Sequence, residues 1–239
     1  MKTNRILSLI FALALVLFLI TAAISLPIYC RWFYYAHIEP MGLPEYTGYS
    51  AAQIREAYDQ VLDYLTAGKP FGTGAFPHSA EGAAHFADCK VLFDLNRNVL
   101  FLSGGVLLIL LALRKLGKTG PYRLGSGSAA FWAAVFAVVL PLILGGLAAL
   151  NFDRAFVVFH TVFFPGKSNW IFDWRTDSII LALPQDFFMH CAMLIGGGLL
   201  CFSLGILIFE KLRKKEPNPK SFLIGRSHLR YLLLEKEMV

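Results

Sequence analysis

The sequence predicts an all-α integral membrane protein with four transmembrane helices and two structured extracellular loops. Hydrophobic residues make up 56% of the 239 residues and charged residues only 16%, which lies outside the usual range of soluble domains. Four continuous apolar runs approach the ~20 residues that an α-helix needs to cross ~30 Å of hydrocarbon. They cover residues 7–26, 99–113, 129–150 and 187–209. Because these runs do not alternate between polar and apolar residues, a spanning β-barrel is disfavoured.

The first apolar run has two interpretations. Lys2 and Arg5 precede it, and small residues occur near Ala22 and Ala23, as in a secretory signal peptide. The run is nevertheless longer than the ~7–15 apolar residues of a typical signal sequence. We therefore expect a retained first helix, and cleavage would leave the later topology unchanged.

Basic residues predict the orientation of the chain. They cluster before the first run, between the second and third runs, and after the fourth, from Lys211 onward. The positive-inside rule makes these segments cytoplasmic, so both termini are expected inside the cell and both long loops outside it. The formal net charge of +6 then reflects membrane orientation and contact with anionic inner-leaflet lipid. We do not interpret it as nucleic-acid binding.

The predicted organisation has six segments. They are an N-terminal segment with the first helix (1–30), a first extracellular loop (31–97), the second and third helices with a basic cytoplasmic loop (98–151), a second extracellular loop (152–186), the fourth helix (187–210) and a basic, partly helical cytoplasmic tail (211–239). Membrane lipid is thus one expected partner.

The first extracellular loop is expected to contain an amphipathic helix. Ser50 and Gln53 have the spacing of a capping box, and Gly68 followed by Pro70 ends the pattern. Between them, apolar side chains recur at helical spacing: Ile54, Ala57, Tyr58, Val61, Leu62 and Leu65. This apolar face would pack either on the rest of the outer domain or on the bilayer surface.

A second predicted helix, capped at Ser79, leads from this loop into the membrane. On it His85, Asp88 and Cys89 share one face, because they are three and four residues apart, and Asp88 is within reach of the imidazole. The second loop contains His160 in the stretch "HTVFFPGKSNWIFD". Imidazole titrates near neutral pH, so two histidines at one membrane surface suit general acid and base chemistry.

Each of these features also has a structural interpretation. The histidines would serve as interfacial polar residues that hold the loops, and the aromatic residues would form a belt at the headgroup level. As metal ligands, His85, Asp88, His160 and Asp173 lack any short ligand spacing. As nucleophiles, Ser79 and Cys89 are weak candidates that more often act as a helix cap and a packed thiol. A disulfide between Cys30 and Cys89 is compatible with an oxidising exterior.

Two stretches resemble a known family. Residues 78–93, "HSAEGAAHFADCKVLF", and 159–188, "FHTVFFPGKSNWIFDWRTDSIILALPQDFF", are similar to the outer-loop signatures of the lipoprotein intramolecular transacylases of low-GC Gram-positive bacteria. Length, topology and the Tyr-rich outer helix also match. The sequence departs from the family pattern at Trp174, where proline is expected, at Gln185, where glutamate is expected, and at Cys89, where valine is usual.

The resemblance implies a cofactor-free, metal-independent acyltransferase that acts on diacylglyceryl-modified bacterial lipoproteins. In that interpretation His85, oriented by Asp88, is the base and His160 the acid, or the reverse, while Lys90 or backbone amides near Gly166 stabilise the oxyanion. Other residues expected to bind substrate are Ser79, Glu81, Trp170, Phe172, Asp173 and Asp177. The rival predictions are a non-enzymatic membrane protein whose outer loops bind a lipid or peptide, and a different lipid acyltransferase or hydrolase.

Overall fold

The regular structure is almost entirely helical. The computed structural model describes residues 4–215, and the expected helical tail lies largely outside these residues. The elements, in chain order, are α1 (Arg5–Tyr29), α2 (Arg31–Ile38), α3 (Leu43–Thr47), α4 (Ala51–Ala67), α5 (Ala80–Lys115), β1 (Arg123–Leu124), β2 (Gly127–Ser128), α6 (Ala129–Leu150), α7 (Phe152–Phe163), α8 (Ile179–Ala182) and α9 (Gln185–Lys215). In the part of the chain so described, four helices are long and apolar enough to cross a membrane: α1, α5, α6 and α9. The predicted fold class is confirmed.

Helix α1 is the centre of the membrane bundle. It packs against α5, α6 and α9, and α6 also packs against α9. Small side chains permit these contacts: Ala23 of α1 and Ala137 of α6 are fully buried, and Gly198 of α9 faces Leu26 of α1 so closely that an added Cβ would lie 2.4 Å from a leucine methyl. Close approach of this kind is how helices associate in lipid. Lipid tails are as apolar as the helix surfaces, so no hydrophobic effect drives association and close packing takes its place.

Helix α5 is much longer than the bilayer is thick. Its 36 residues span about 54 Å at ~1.5 Å per residue, compared with ~30 Å of hydrocarbon. The apolar half lies toward Lys115, and the half that begins at Ala80 carries the charged side chains of Glu81, Asp88 and Asp94. The N-terminal half of α5 therefore belongs to the outer domain.

The outer domain has its own hydrophobic core. As predicted, α4 begins with the Ser50 and Gln53 capping box and ends at Gly68, which has a left-handed φ of 70°. All six apolar side chains predicted for its inner face are buried. They pack against α2, α3, α8 and the start of α9, which decides between the two expected surfaces in favour of the outer domain. Tyr34 of α2 stacks on Tyr58 of α4 at 3.9 Å, and its hydroxyl donates to the Ala182 carbonyl of α8 (2.6 Å).

At the other end of the bundle, a short antiparallel hairpin links α5 to α6. Its strands pair Arg123 with Ser128, and the Arg123 N–H donates to Ser8 Oγ of α1 (3.0 Å). Tyr122 stacks on Phe11 of α1 and fixes the hairpin against the bundle. The hairpin thus lies at the opposite end of α5 from the outer domain.

Candidate active site

The N-terminus of α5 joins the two outer loops. Ser79 Oγ accepts from the Gly82 N–H (2.9 Å), and the Ser79 N–H donates to Asp177 Oδ1 (2.7 Å) from the second loop. Asp177 is only 4% exposed, and Thr176 donates to its second oxygen. A carboxylate at a helix N-terminus is favoured by the helix dipole and by the free N–H groups. Ser79 and Asp177 therefore fix where α5 begins relative to the second loop.

His85 lies in the second turn of α5 and is only 5% exposed. Its ring contacts the edges of Phe164 and Phe172, at centroid distances of 5.0 and 5.5 Å. Nε2 lies 3.4 Å from Cys89 Sγ, whereas Nδ1 is buried and has no hydrogen-bond partner. An unpaired buried nitrogen is costly in a folded protein, so this atom is a candidate for contact with a ligand.

His160 lies in the last turn of α7 and is 7% exposed. Its Nδ1 is 2.8 Å from the Phe156 carbonyl of the preceding turn. A carbonyl can only accept, so Nδ1 carries the proton and Nε2 carries the lone pair in the neutral ring. Trp170 stacks on this ring at 4.6 Å and 26°. Burial lowers the pKa of His160, although the Phe156 hydrogen bond acts in the opposite direction.

The fold brings the two histidines together. Their ring centroids are 5.8 Å apart with an interplanar angle of 32°, and Phe164 contacts both rings. Two imidazolium charges at this separation would repel each other in a buried site, so the resting pair contains at least one neutral ring. One neutral base beside a second titratable ring suits paired proton transfer.

Asp88 does not hold the His85 ring, in contrast to the prediction. Its carboxylate accepts from Lys167 Nζ and from Asn169 Nδ2 (3.0 Å), both in the second loop. The helical spacing correctly placed Asp88 near His85, but a cation and an amide from the distant loop compete for its oxygens. Asp88 therefore connects α5 to the second loop.

Other predicted site residues also have different partners. Lys90 turns toward α4, where Nζ donates to the Tyr64 carbonyl (2.8 Å), and this contradicts its expected place at the oxyanion. Asp173 is exposed and accepts from the Arg175 N–H (3.0 Å). Glu81 is exposed in the first turn of α5, and Gly166 adopts a left-handed φ of 74° in an exposed turn.

The structure adds three residues that sequence reasoning did not select. They are Phe164, which contacts both histidine rings, and Lys167 and Asn169, which donate to Asp88. Lys167 and Asn169 lie in the quoted stretch of the second loop, but nothing in its pattern indicated which carboxylate they would meet. Phe164 appeared only as one of several aromatic residues. Their roles depend on contacts between distant segments.

The alternative chemistries receive little support from the contacts. The four proposed metal ligands do not converge, because Asp88 and Asp173 bond elsewhere, and no group of three or more ligand-type side chains occurs among residues 4–215. The Ser79 hydroxyl caps α5. Cys30 and Cys89 are both free thiols, so the disulfide considered above is not present.

Comparisons with known proteins agree on one family. The family described as "Lipoprotein intramolecular transacylase Lit" matches residues 9–188. The in meso structure of the lipoprotein intramolecular transacylase Lit from Bacillus cereus is similar over 98% of both chains, with a TM-score of 0.76 and 24% identity. A second structure of that protein, with the H85R mutation, covers 88% of this chain and 92% of its own, with a TM-score of 0.73 and 24% identity. At this identity the solved structures show a common fold.

A further relative has a shorter match. An uncharacterized protein of Aquifex aeolicus (strain VF5) is 33% identical over 89 residues. The match spans 37% of this chain and 39% of that relative, so it concerns only part of either protein.

Proposed function

Because the chain belongs to the lipoprotein intramolecular transacylase family, we propose that it moves the sn-2 acyl chain of a diacylglyceryl-cysteine lipoprotein to the α-amine of the same cysteine. The product is an N-acyl, S-monoacylglyceryl lipoprotein, the lyso form. The observation that carries this proposal beyond family membership is the buried pair of His85 and His160.

The reaction exchanges an ester for an amide within one molecule. The α-amine attacks the sn-2 ester carbonyl, a new N–C bond forms, and the C–O bond to glycerol breaks. One proton must leave the nitrogen and one must reach the departing glycerol oxygen, so the step is balanced without a cofactor. Since both reacting groups belong to one substrate, holding them in attack geometry contributes much of the catalysis.

The hydrogen bonds favour His160 as the base. Its Nδ1–H is held by the Phe156 carbonyl, which leaves Nε2 as the proton acceptor. An α-amine has a pKa of about 7.7–8.0, so the free amine is partly populated near neutral pH, and the one proton that its nitrogen loses on attack needs an acceptor. The burial that lowers the pKa of His160 keeps the ring in the acceptor form.

His85 then suits the role of proton donor. If the Cys89 thiol donates to Nε2, the neutral His85 ring carries its proton on Nδ1, the nitrogen without a partner. An Nδ1–H is able to donate to the ester oxygen as negative charge develops and then to the leaving alkoxide, after which the proton that His160 took from the amine returns to His85 and both rings are neutral again. This assignment reverses the roles given first to the two histidines and uses no metal ion.

The surroundings of the pair suit acyl chains. The outward side of α7 is apolar and exposed at Val158, Phe159 and Val162. In a membrane, such a helix lies at the boundary between headgroups and hydrocarbon, with its apolar face toward the lipid. His160, on the opposite side of α7, would then meet an ester at the depth where glycerol oxygens lie.

Mass spectrometry of a reporter lipoprotein tests the proposal. Membranes that contain this protein should convert the N-terminal diacylglyceryl peptide to the N-acylated lyso peptide without an added acyl donor. The variants His160→Ala and His85→Ala should each lose ~100-fold or more of this activity, as removal of acid and base groups typically does. Cys89→Ser should keep most of it, because serine also donates a hydrogen bond toward His85.

Two outcomes favour the rival functions. Release of free fatty acid with an unchanged cysteine amine would indicate a hydrolase, and an unmodified reporter despite good expression would favour a binding protein. A covalent acyl group on Cys89, or activity lost on chelation and restored by Zn²⁺, would overturn the direct, metal-independent mechanism.

A further inference from the structure

The histidine pair is closed to a substrate as large as a diacylated lipoprotein. Both histidine residues are more than nine-tenths buried. A reacting amine must approach an imidazole nitrogen to about 2.6–3.2 Å for proton transfer. The atoms now covering the rings therefore have to move before the proposed reaction begins.

One segment supplies much of this cover. Residues 165–172, called the strap here, follow α7 and cross over both rings. Trp170 stacks on His160 and Phe172 lies against His85. Within the strap, Trp170 Nε1–H donates to the Lys167 carbonyl (3.1 Å), which ties the ring on His160 to the strap backbone.

Two side chains of the strap bond to Asp88 and so attach the strap to α5. Lys167 Nζ and Asn169 Nδ2 donate to separate oxygens of the carboxylate. Asp88 lies less than one helical turn after His85, so this attachment fixes the strap directly beside the site. The ion pair is partly exposed, with the Lys167 side chain 48% accessible, and attachments of this kind are weak enough to open.

The strap also has a natural bending point. Gly166 adopts a φ of +74°, and an added Cβ there would meet no atom within 4 Å. The segment between the end of α7 and Lys167 thus combines a residue free to change its dihedral angles with open space around it.

We propose that the strap is a hinged lid over the histidine pair and that Asp88 is its latch. The lid opens when Lys167 and Asn169 leave the carboxylate, which admits the substrate, and its closure returns Trp170 to His160. In this role Asp88, Lys167 and Asn169 are positioning residues. The need for substrate entry rests on the proposed function, but the opening itself is measurable without any substrate.

Cys89 provides a reporter of opening. Its thiol lies against His85 and packs in the same cluster as Phe172, whereas Cys30 is exposed. N-ethylmaleimide is applied to the natural chain, and peptide mapping gives the alkylation rate of Cys89 relative to that of Cys30. Asp88→Ala removes both contacts and should raise this ratio about fivefold or more, whereas Lys167→Gln removes the ion pair alone and should raise it by about two- to fivefold.

Matched variants distinguish the loss of the Asp88 contacts from a general destabilisation of the outer domain. Lys69 forms a comparable exposed ion pair with Asp63 (2.6 Å) at the end of α4, so Lys69→Gln should leave the ratio unchanged. The double variant Asp88→Lys with Lys167→Asp should return it toward the natural value. Asn169 Oδ1, which has no partner in the structure, is able to accept from the new lysine.

The outcomes decide the proposal independently of the reaction. An unchanged ratio in Asp88→Ala and Lys167→Gln, an equal rise in Lys69→Gln, or no rescue in the double variant would each overturn the latch. On the reporter lipoprotein, we expect a several-fold loss of kcat in Lys167→Gln that the charge exchange partly restores. If neither the natural protein nor any variant modifies the reporter, the proposed function is wrong. The labelling ratios still test the lid, because they are measured without substrate.

Discussion

At the residue scale, the two histidines differ in what fixes them. His160 is held by a backbone carbonyl of its own helix and by a stacked indole, so its tautomer and its ring plane are both determined. His85 is held by aromatic edges and a thiol, and one of its nitrogens has no protein partner. In the proposed mechanism, this asymmetry is the reason for giving the acceptor role to His160 and the donor role to His85.

The pH dependence of the reaction follows from the environment of His160. Burial lowers its pKa below the ordinary value of about 6.5, so the neutral, proton-accepting ring persists into more acidic solution. Activity should be present above the lowered pKa and should fall as the pH decreases through it. The attacking α-amine also titrates, with a pKa of about 7.7–8.0, so we expect single-turnover rates, followed by mass spectrometry between pH 5 and 8, to fall with the protonation of the amine alone down to pH 6.5. A second protonation that lowers the rate further at or above pH 6.5 would contradict this assignment.

At the scale of elements, α5 is the part that joins membrane and site. Its start is fixed by the Ser79 cap and the buried Asp177, and His85 follows within two turns. Gly82 is the residue that allows this arrangement. A Cβ at that position would lie 2.1 Å from Asp177 Oδ1 and 3.2 Å from the Phe172 ring.

Two glycine substitutions in this one helix should have opposite effects. Replacing glycine by alanine inside a helix ordinarily stabilises it by about 1 kcal/mol. Gly105→Ala meets no atom within 4 Å and should leave thermal stability in detergent equal or slightly higher. Gly82→Ala must displace Asp177 or Phe172 and should cost about 1–3 kcal/mol, with a lower Tm and reduced transacylation. Equal Tm values for the two variants would show that the contact at Gly82 does not constrain the outer domain.

Elements were predictable where local sequence controls them. The boundaries of α4 follow from its capping box and its Gly68 terminus, and its buried face follows from helical periodicity. Helix α7 was expected only as part of a loop, since its apolar and polar residues are followed at once by the Pro-Gly turn. It forms because Asn151 caps it, accepting from the Arg154 N–H (2.9 Å), and because His160 and Phe164 are buried against α5.

At the scale of the whole molecule, the bundle separates two chemically different ends. The outer domain and the histidine pair lie at one end of α5, and the hairpin lies at the other with Arg114, Lys115 and Lys118 nearby. The positive-inside rule assigns the basic end to the cytoplasm. The proposed site would then face the surface where exported lipoproteins are anchored.

Cysteine labelling tests this orientation. In a background with the exposed Cys30 and Cys201 replaced by serine, Ala75→Cys in the outer domain and Lys118→Cys near the hairpin both place a thiol at an exposed position. A membrane-impermeant maleimide added to intact cells should modify the first and spare the second, and detergent should expose both. The reverse pattern would place the histidines inside the cell and remove the basis of the proposed function.

The sequence by itself determined the features that depend on composition and local spacing. Four apolar runs require four spanning helices, because only internally hydrogen-bonded segments of sufficient length are stable in hydrocarbon. The capping patterns at Ser50 and Ser79 likewise act within a few residues of themselves. Both histidines were identified because imidazole titrates near neutral pH and both lie in the outer loops, at one membrane surface.

Only the tertiary structure decided which of these groups meet. The 5.8 Å separation of His85 and His160, the capture of Asp88 by Lys167 and Asn169, and the turn of Lys90 toward Tyr64 all join segments far apart in the chain. A side chain on one helical face has several partners within reach, and the hydrogen bonds formed depend on which segment packs there. Local spacing indicates that a carboxylate lies on a given helical face. Packing between the two outer loops decides which group binds that carboxylate.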